Sequence, residues 1–99
     1  MFYQQGDVLL KAVNEIPGDV QDQKTDVLVM GESTGHAHRV TSGDYKIVRN
    51  AAVMYLLAYT IVKIQHEEHD IIELPPGTYL VDQVKEYDHF AKEVRTVVD

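Results

Sequence analysis

Residues 59–74 read Tyr59-Thr60-Ile61-Val62-Lys63-Ile64-Gln65-His66-Glu67-Glu68-His69-Asp70-Ile71-Ile72-Glu73-Leu74. The first six are dominated by β-branched side chains, which are stiff at χ1 and fit a pleated surface better than a helix. A second apolar group, Ile71-Ile72 and Leu74, follows six polar residues later. The pattern predicts two antiparallel strands, Thr60 to Gln65 and Asp70 to Leu74, with His66-Glu67-Glu68-His69 as the turn between them. Pro75-Pro76-Gly77 then forces a turn. Thr78 to Lys85 alternates beyond it, with Leu80 and Val84 on one face and Tyr79, Val81 and Gln83 on the other. Short strands punctuated by proline and glycine predict a mainly β domain, either a small barrel or a sandwich.

The rest of the chain extends this reading. Val8, Leu10 and Ala12 alternate with Leu9, Lys11 and Val13 after Gly6-Asp7, as a strand does. Ile16-Pro17-Gly18-Asp19 is a turn, and the polar run from Gln21 to Asp26 is a loop. Asp26 to Glu32 predicts a strand whose Val27-Leu28-Val29-Met30 is buried on both faces. Gly31-Glu32-Ser33-Thr34-Gly35 predicts a turn or bulge that delivers a short strand, His36 to Val40. Ser42-Gly43-Asp44 predicts a tight hairpin to a returning strand, Tyr45 to Arg49. Ala51 to Ala58 holds good helix formers; we read Ala51 to Gln65 as two strands with a bend near Leu57-Ala58, with a helix then a strand as the alternative. Asp88 to Val94 predicts a short C-terminal helix, with Asp88 as N-cap and Phe90 packed on Val94 at i, i+4.

Ninety-nine residues, 44% of them hydrophobic, make one domain (1–99) with a core of its own. The net charge of −7 and the scattered lysines and arginines argue against non-specific nucleic-acid binding, which needs cations to neutralise phosphates. The apolar stretch from Ala51 to Ile64 is broken by Thr60 and Lys63 and falls short of the roughly 20 residues that span a bilayer as a helix. Met1 to Asp7 carries no basic and apolar leader, so the cytoplasm is the expected location. The expected partners are a small molecule or a metal, with homo-oligomerisation through strand edges open.

Chemistry concentrates in the histidines. Four of the five lie in two segments, Gly35-His36-Ala37-His38-Arg39 and His66-Glu67-Glu68-His69. The chain has no cysteine, so imidazole and carboxylate are its strong metal donors. A His-x-His step on a strand sends both rings to one face. His36, His38, His66 and His69 are therefore the candidate ligands of a divalent metal, with Glu67 or Glu68 as a further ligand or as an orienting acceptor. These donors do not discriminate among zinc, iron, manganese and nickel. If the domain is an enzyme, they suit metal-assisted hydrolysis or metal-centred oxidation. His66 and His69 are one residue too close for the His-Glu-x-x-His motif.

Two other functions compete. A binding module could hold an anion such as a nucleotide on Arg39 and the histidines, with tyrosines, Tyr79 among them, stacking on a base. A structural or oligomerising protein would use the histidines only as turn caps or hydrogen-bonded core groups. In that ordinary reading Arg39 makes a surface ion pair, and Tyr79 packs its ring at the core edge.

Several blocks together resemble a group of small uncharacterised bacterial and phage proteins. These are Tyr3-Gln4-Gln5-Gly6-Asp7-Val8, Thr34-Gly35-His36-Ala37-His38-Arg39, His66-Glu67-Glu68-His69, Leu74-Pro75-Pro76-Gly77-Thr78-Tyr79, Glu86-Tyr87 and Val94 to Asp99. The resemblance runs nearly end to end. It marks the same residues as the site and implies no reaction. The His-x-His followed by a later acid and histidine is also similar to cupins, whose jelly rolls bind metals; that likeness implies a metal on a β scaffold.

Overall fold

The β-branched runs form strands throughout, and a computed structural model describes them over residues 2–30, 36–51, 53–83, 85–88 and 93–96. In chain order these are β1 (Phe2–Gln5), β2 (Val8–Val13), β3 (Gln21–Asp22), β4 (Val27–Met30), β5 (Ala37–Ser42) and β6 (Tyr45–Asn50). They continue with β7 (Val53–Ala58), β8 (Val62–His66), β9 (His69–Leu74), β10 (Gly77–Gln83), β11 (Lys85–Asp88) and β12 (Glu93–Thr96). Six strands form one antiparallel sheet in the order β1-β2-β10-β7-β6-β3, and four form a second in the order β4-β5-β8-β9. The two sheets do not close into a barrel. They face each other across one core.

Period-2 alternation supplies that core. Val8 and Leu10 from β2, Ile47 from β6, Leu56 and Ala58 from β7 and Tyr79 from β10 meet Leu28, Val40, Val62, Ile64 and Leu74 from the other sheet. On β8 the pattern is strict: Val62, Ile64 and His66 are buried, while Lys63 and Gln65 are exposed. Burying a side chain such as Leu56 or Ile64, both fully covered, stabilises the fold by about 1.5–3 kcal/mol.

The hairpin read from residues 59–74 is present, with a tighter turn than expected. His66 pairs with His69 across the ladder, so the turn is Glu67-Glu68 alone. The strand reading of Ala51 to Gln65 also holds, with the break after Ala58.

Two expectations are corrected. Ser42-Gly43-Asp44 does not join a hairpin, because β5 and β6 belong to different sheets. It is a corner. Gly43 takes φ +98°, and a Cβ there would collide with the Ile61 carbonyl. That carbonyl belongs to the second corner, Tyr59 to Ile61, where β7 hands over to β8. The corners are stitched by Tyr59 N donating to Asp44 O at 2.9 Å and by Asp44 N donating to Thr60 Oγ1 at 2.9 Å.

The C-terminal helix is not supported either. Lys85–Asp88 and Glu93–Thr96 pair as antiparallel strands, with Tyr87 opposite Val94. Asp88, Glu93 and Val94 put their backbones into this ladder, so that part of the segment is extended and not helical. Residues 89–92 of the expected helix, the expected turn at 31–35 and Val84 lie outside the described residues. Among the described residues there is no helix, so none is long and apolar enough to cross a membrane.

A candidate metal centre over a buried polar network

The end of the molecule opposite the stitched corners collects the histidines. β5 begins there at Ala37, β8 ends there at His66, and β9 begins there at His69. His66 is the hub. Its ring centroid lies 4.2 Å from that of His38, 4.7 Å from that of His69 and 5.6 Å from that of His36. The structure thus brings all four rings from the two sequence segments together. The cause is the β5–β8 pairing, in which Arg39 lies opposite Gln65 and Val40 opposite Ile64.

The four rings have different jobs. His38 is fully buried, and both its nitrogens are engaged. Nδ1 lies 2.9 Å from Gln5 Oε1, and Nε2 lies 3.2 Å from Asp7 Oδ1. The Gln5 amide nitrogen donates to the carbonyls of Ile64 and Asp70, each at 2.9 Å. Its oxygen is therefore the atom that faces His38, as an acceptor. Nδ1 therefore donates to Gln5, and Nε2 faces the Asp7 carboxyl. Asp7, also buried, accepts in addition from Gln83 Nε2. Leaving a buried group of this kind without its partner costs about 1–3 kcal/mol. His38 is thus a hydrogen-bonded core histidine, with neither nitrogen turned to the rim.

Gln5 also explains how the hairpin closes. The β8–β9 register shifts between Ile64 and His66. Such a bulge leaves backbone groups without ladder partners. Gln5 reaches across from β1 and binds the Ile64 and Asp70 carbonyls beside that shift with one amide group. Sequence reasoning missed Gln5, Asp7 and Gln83 as functional residues. Gln5-Gly6-Asp7, two polar residues around a glycine beside the strongly apolar Val8 and Leu10, was the available signal.

His69 packs on that glycine. Gly6 has φ +57°, and a Cβ there would lie 2.5 Å from His69 Nε2. His69 Nε2 is buried and has no hydrogen-bond partner among the described residues. The ring closes the site from below.

At the rim, one ligand atom from each of His36, His66 and Glu67 lies within 4.8 Å of the others. Glu67 Oε1 accepts from Ala37 N at 3.0 Å, which ties the β8–β9 turn to β5. The amides of Ala37 and of Glu67 itself hold the Glu67 carboxyl below the usual carboxylate range, and His36 and His66 add to the effect. Glu68 N donates to His66 Nδ1 at 3.0 Å, which fixes the orientation of that ring against the turn. Glu68 Oε1 lies 3.7 Å from His36 Nδ1, where it can orient that ring. Glu68 is thus placed as an orienting carboxylate beside the group.

Arg39 and Gln65, side by side on the outer face of β5 and β8, line a cavity of about 300 Å³ with Ala37, His66 and Glu67. Tyr79 is not brought to this end. It is buried in the core, its hydroxyl donates to Pro75 O at 2.6 Å, and its ring meets Tyr3 edge-on at 6.0 Å. Burial, and then the neighbouring Tyr3, push the Tyr79 hydroxyl up from the ordinary tyrosine value.

No curated protein and no solved structure matches the chain. Residues 4–83 match the family described as "Domain of unknown function (DUF8820)", a span that includes Gln5, Asp7, all four clustered histidines and Gln83. From that match over most of its length, the chain belongs to the DUF8820 family.

Proposed function

We propose that this protein binds a divalent metal ion through His36, His66 and Glu67. The convergence of the three donors within 4.8 Å, from the start of β5, the end of β8 and the turn after it, carries the reading. Tetrahedral coordination with bonds of about 2.0–2.1 Å places donors about 3.3 Å apart, so donors up to 4.8 Å apart close by up to about 1.5 Å on loading. Glu67 is exposed at the turn and can supply that movement.

Two imidazoles and one carboxylate suit zinc or ferrous iron, and both leave coordination positions open to water or substrate. The protein's contribution is orientation. Ala37 N fixes one Glu67 oxygen, and His38 and His69, whose rings lie tilted against His66 at 4.2 and 4.7 Å, limit its movement. His38 serves as support and not as a ligand in this proposal.

The test is calorimetric titration of zinc into chelator-treated protein made without a histidine tag. One equivalent should bind. His36→Ala and His66→Ala should each weaken binding at least tenfold, and the double variant should lose much less than the sum of the two. Equal zinc affinity in wild type and both single variants sinks the proposal.

A further inference from the structure

Arg39 is a half-buried arginine in a chain of net charge −7, yet among the described residues it makes no ion pair or side-chain hydrogen bond. It lies in a shallow depression on the outer face of β5 and β8. It lines the same cavity of about 300 Å³ as His66 and Glu67, two of the three proposed ligands. Its neighbours there are the neutral Gln65 and Ala37. Among the described residues that line the cavity, no aromatic ring other than His66 offers a stacking platform for a base. The volume is at the lower end of ligand sites. The cavity therefore fits a small anion better than a nucleotide.

We propose that the Arg39 cavity is the second half of the metal site, binding a small oxyanion (a carboxylate or a phosphate) that is shared between the metal and the Arg39 guanidinium; this rests on the metal reading above. The chemistry is complementary. A guanidinium presents a planar fork of N–H donors that matches two oxygens of a carboxylate or phosphate. The metal takes a third contact at an open position. Glu67 makes the arrangement conditional. In the metal-free protein its carboxylate faces the same cavity and repels an anion. Once a divalent ion is held, that charge is neutralised, and the local field turns positive between the ion and Arg39. Anion binding should therefore depend on the metal.

The experiment uses the whole chain loaded with cobalt(II), whose visible absorption reports changes in coordination. Inorganic phosphate is titrated in one arm and acetate in the other, each with and without metal. At least one anion should bind and shift the cobalt spectrum, and neither should bind the metal-free protein measurably. Arg39→Gln should weaken the anion at least tenfold while leaving cobalt affinity within about twofold, since Arg39 is not among the ligands. Arg39→Lys should fall between, because it keeps the charge and loses the fork. Gln65→Ala, the neutral neighbour, should change anion binding less than threefold. If cobalt itself does not bind, the metal reading falls and this inference falls with it. If cobalt binds but neither anion does, or if Arg39→Gln binds the anion as well as wild type, only this inference is overturned. Equal anion binding with and without metal overturns it too.

Discussion

Gly6→Ala is the sharpest single test of how the site is held. Gly6 sits in the β1–β2 turn at φ +57°, and a Cβ there would lie 2.5 Å from His69 Nε2 and 2.7 Å from His69 Cδ2. Two costs follow. The left-handed conformation costs an alanine about 1–2 kcal/mol. Pushing the imidazole aside in a packed site costs about 1–3 kcal/mol more. The sum, about 2–5 kcal/mol, is a large part of the roughly 5–15 kcal/mol that stabilises a small domain. Urea unfolding reads it as a lower midpoint at unchanged slope. The two costs separate in a His69→Ala background, where the collision is gone and only the backbone term of about 1–2 kcal/mol remains. Gly18→Ala is the control: nothing lies within 4 Å of its Cβ, and it should stay within about 0.5 kcal/mol of wild type. If Gly6→Ala behaves like Gly18→Ala, or costs the same with and without His69, the packing of His69 on Gly6 does not hold the site.

Three further outcomes follow from the network. Gln5→Leu keeps the volume but strands the Ile64 and Asp70 carbonyls and His38 Nδ1; at about 1–3 kcal/mol per buried unsatisfied group it should cost at least about 3 kcal/mol in chemical denaturation, and a loss under 1 kcal/mol would show that the amide is not the bridge between sheets. Asp7→Asn replaces the carboxyl group that faces His38 and accepts from Gln83, and a urea midpoint should record a loss of about 1–3 kcal/mol; wild-type stability would mean that this contact does not hold the fold. The Glu67 carboxyl is held low by the Ala37 amide, so its ionised form stabilises the fold above the ordinary glutamate value, and that contribution disappears as pH falls through the lowered native value. Glu67→Gln should therefore flatten the acid limb of a stability–pH profile slightly, the group being exposed, and an unchanged limb would remove the Ala37 contact.

The sequence by itself determined the strands, most of the turns and the histidines. β-branched runs and Pro/Gly punctuation act over a few residues, so Val62 to His66, His69 to Leu74 and Gly77 to Gln83 could be read locally. His36 and His38 on one side of a strand also follow from local periodicity. The sheet assignment of each strand did not. Ser42-Gly43-Asp44 looks like a hairpin turn, and only the approach of Gly43 to the Ile61 carbonyl makes it a corner between sheets. The roles of the histidines were likewise tertiary. His36 and His38 are two residues apart, yet one joins the rim group while the other is sealed against Gln5 and Asp7. Those partners are 33 and 31 residues away in sequence, and a buried hydrogen bond depends on which strand edges meet. Arg39 makes the same point. Its identity was legible, but its place beside His66 and Glu67 arises from β5 pairing with β8, which no local pattern encodes.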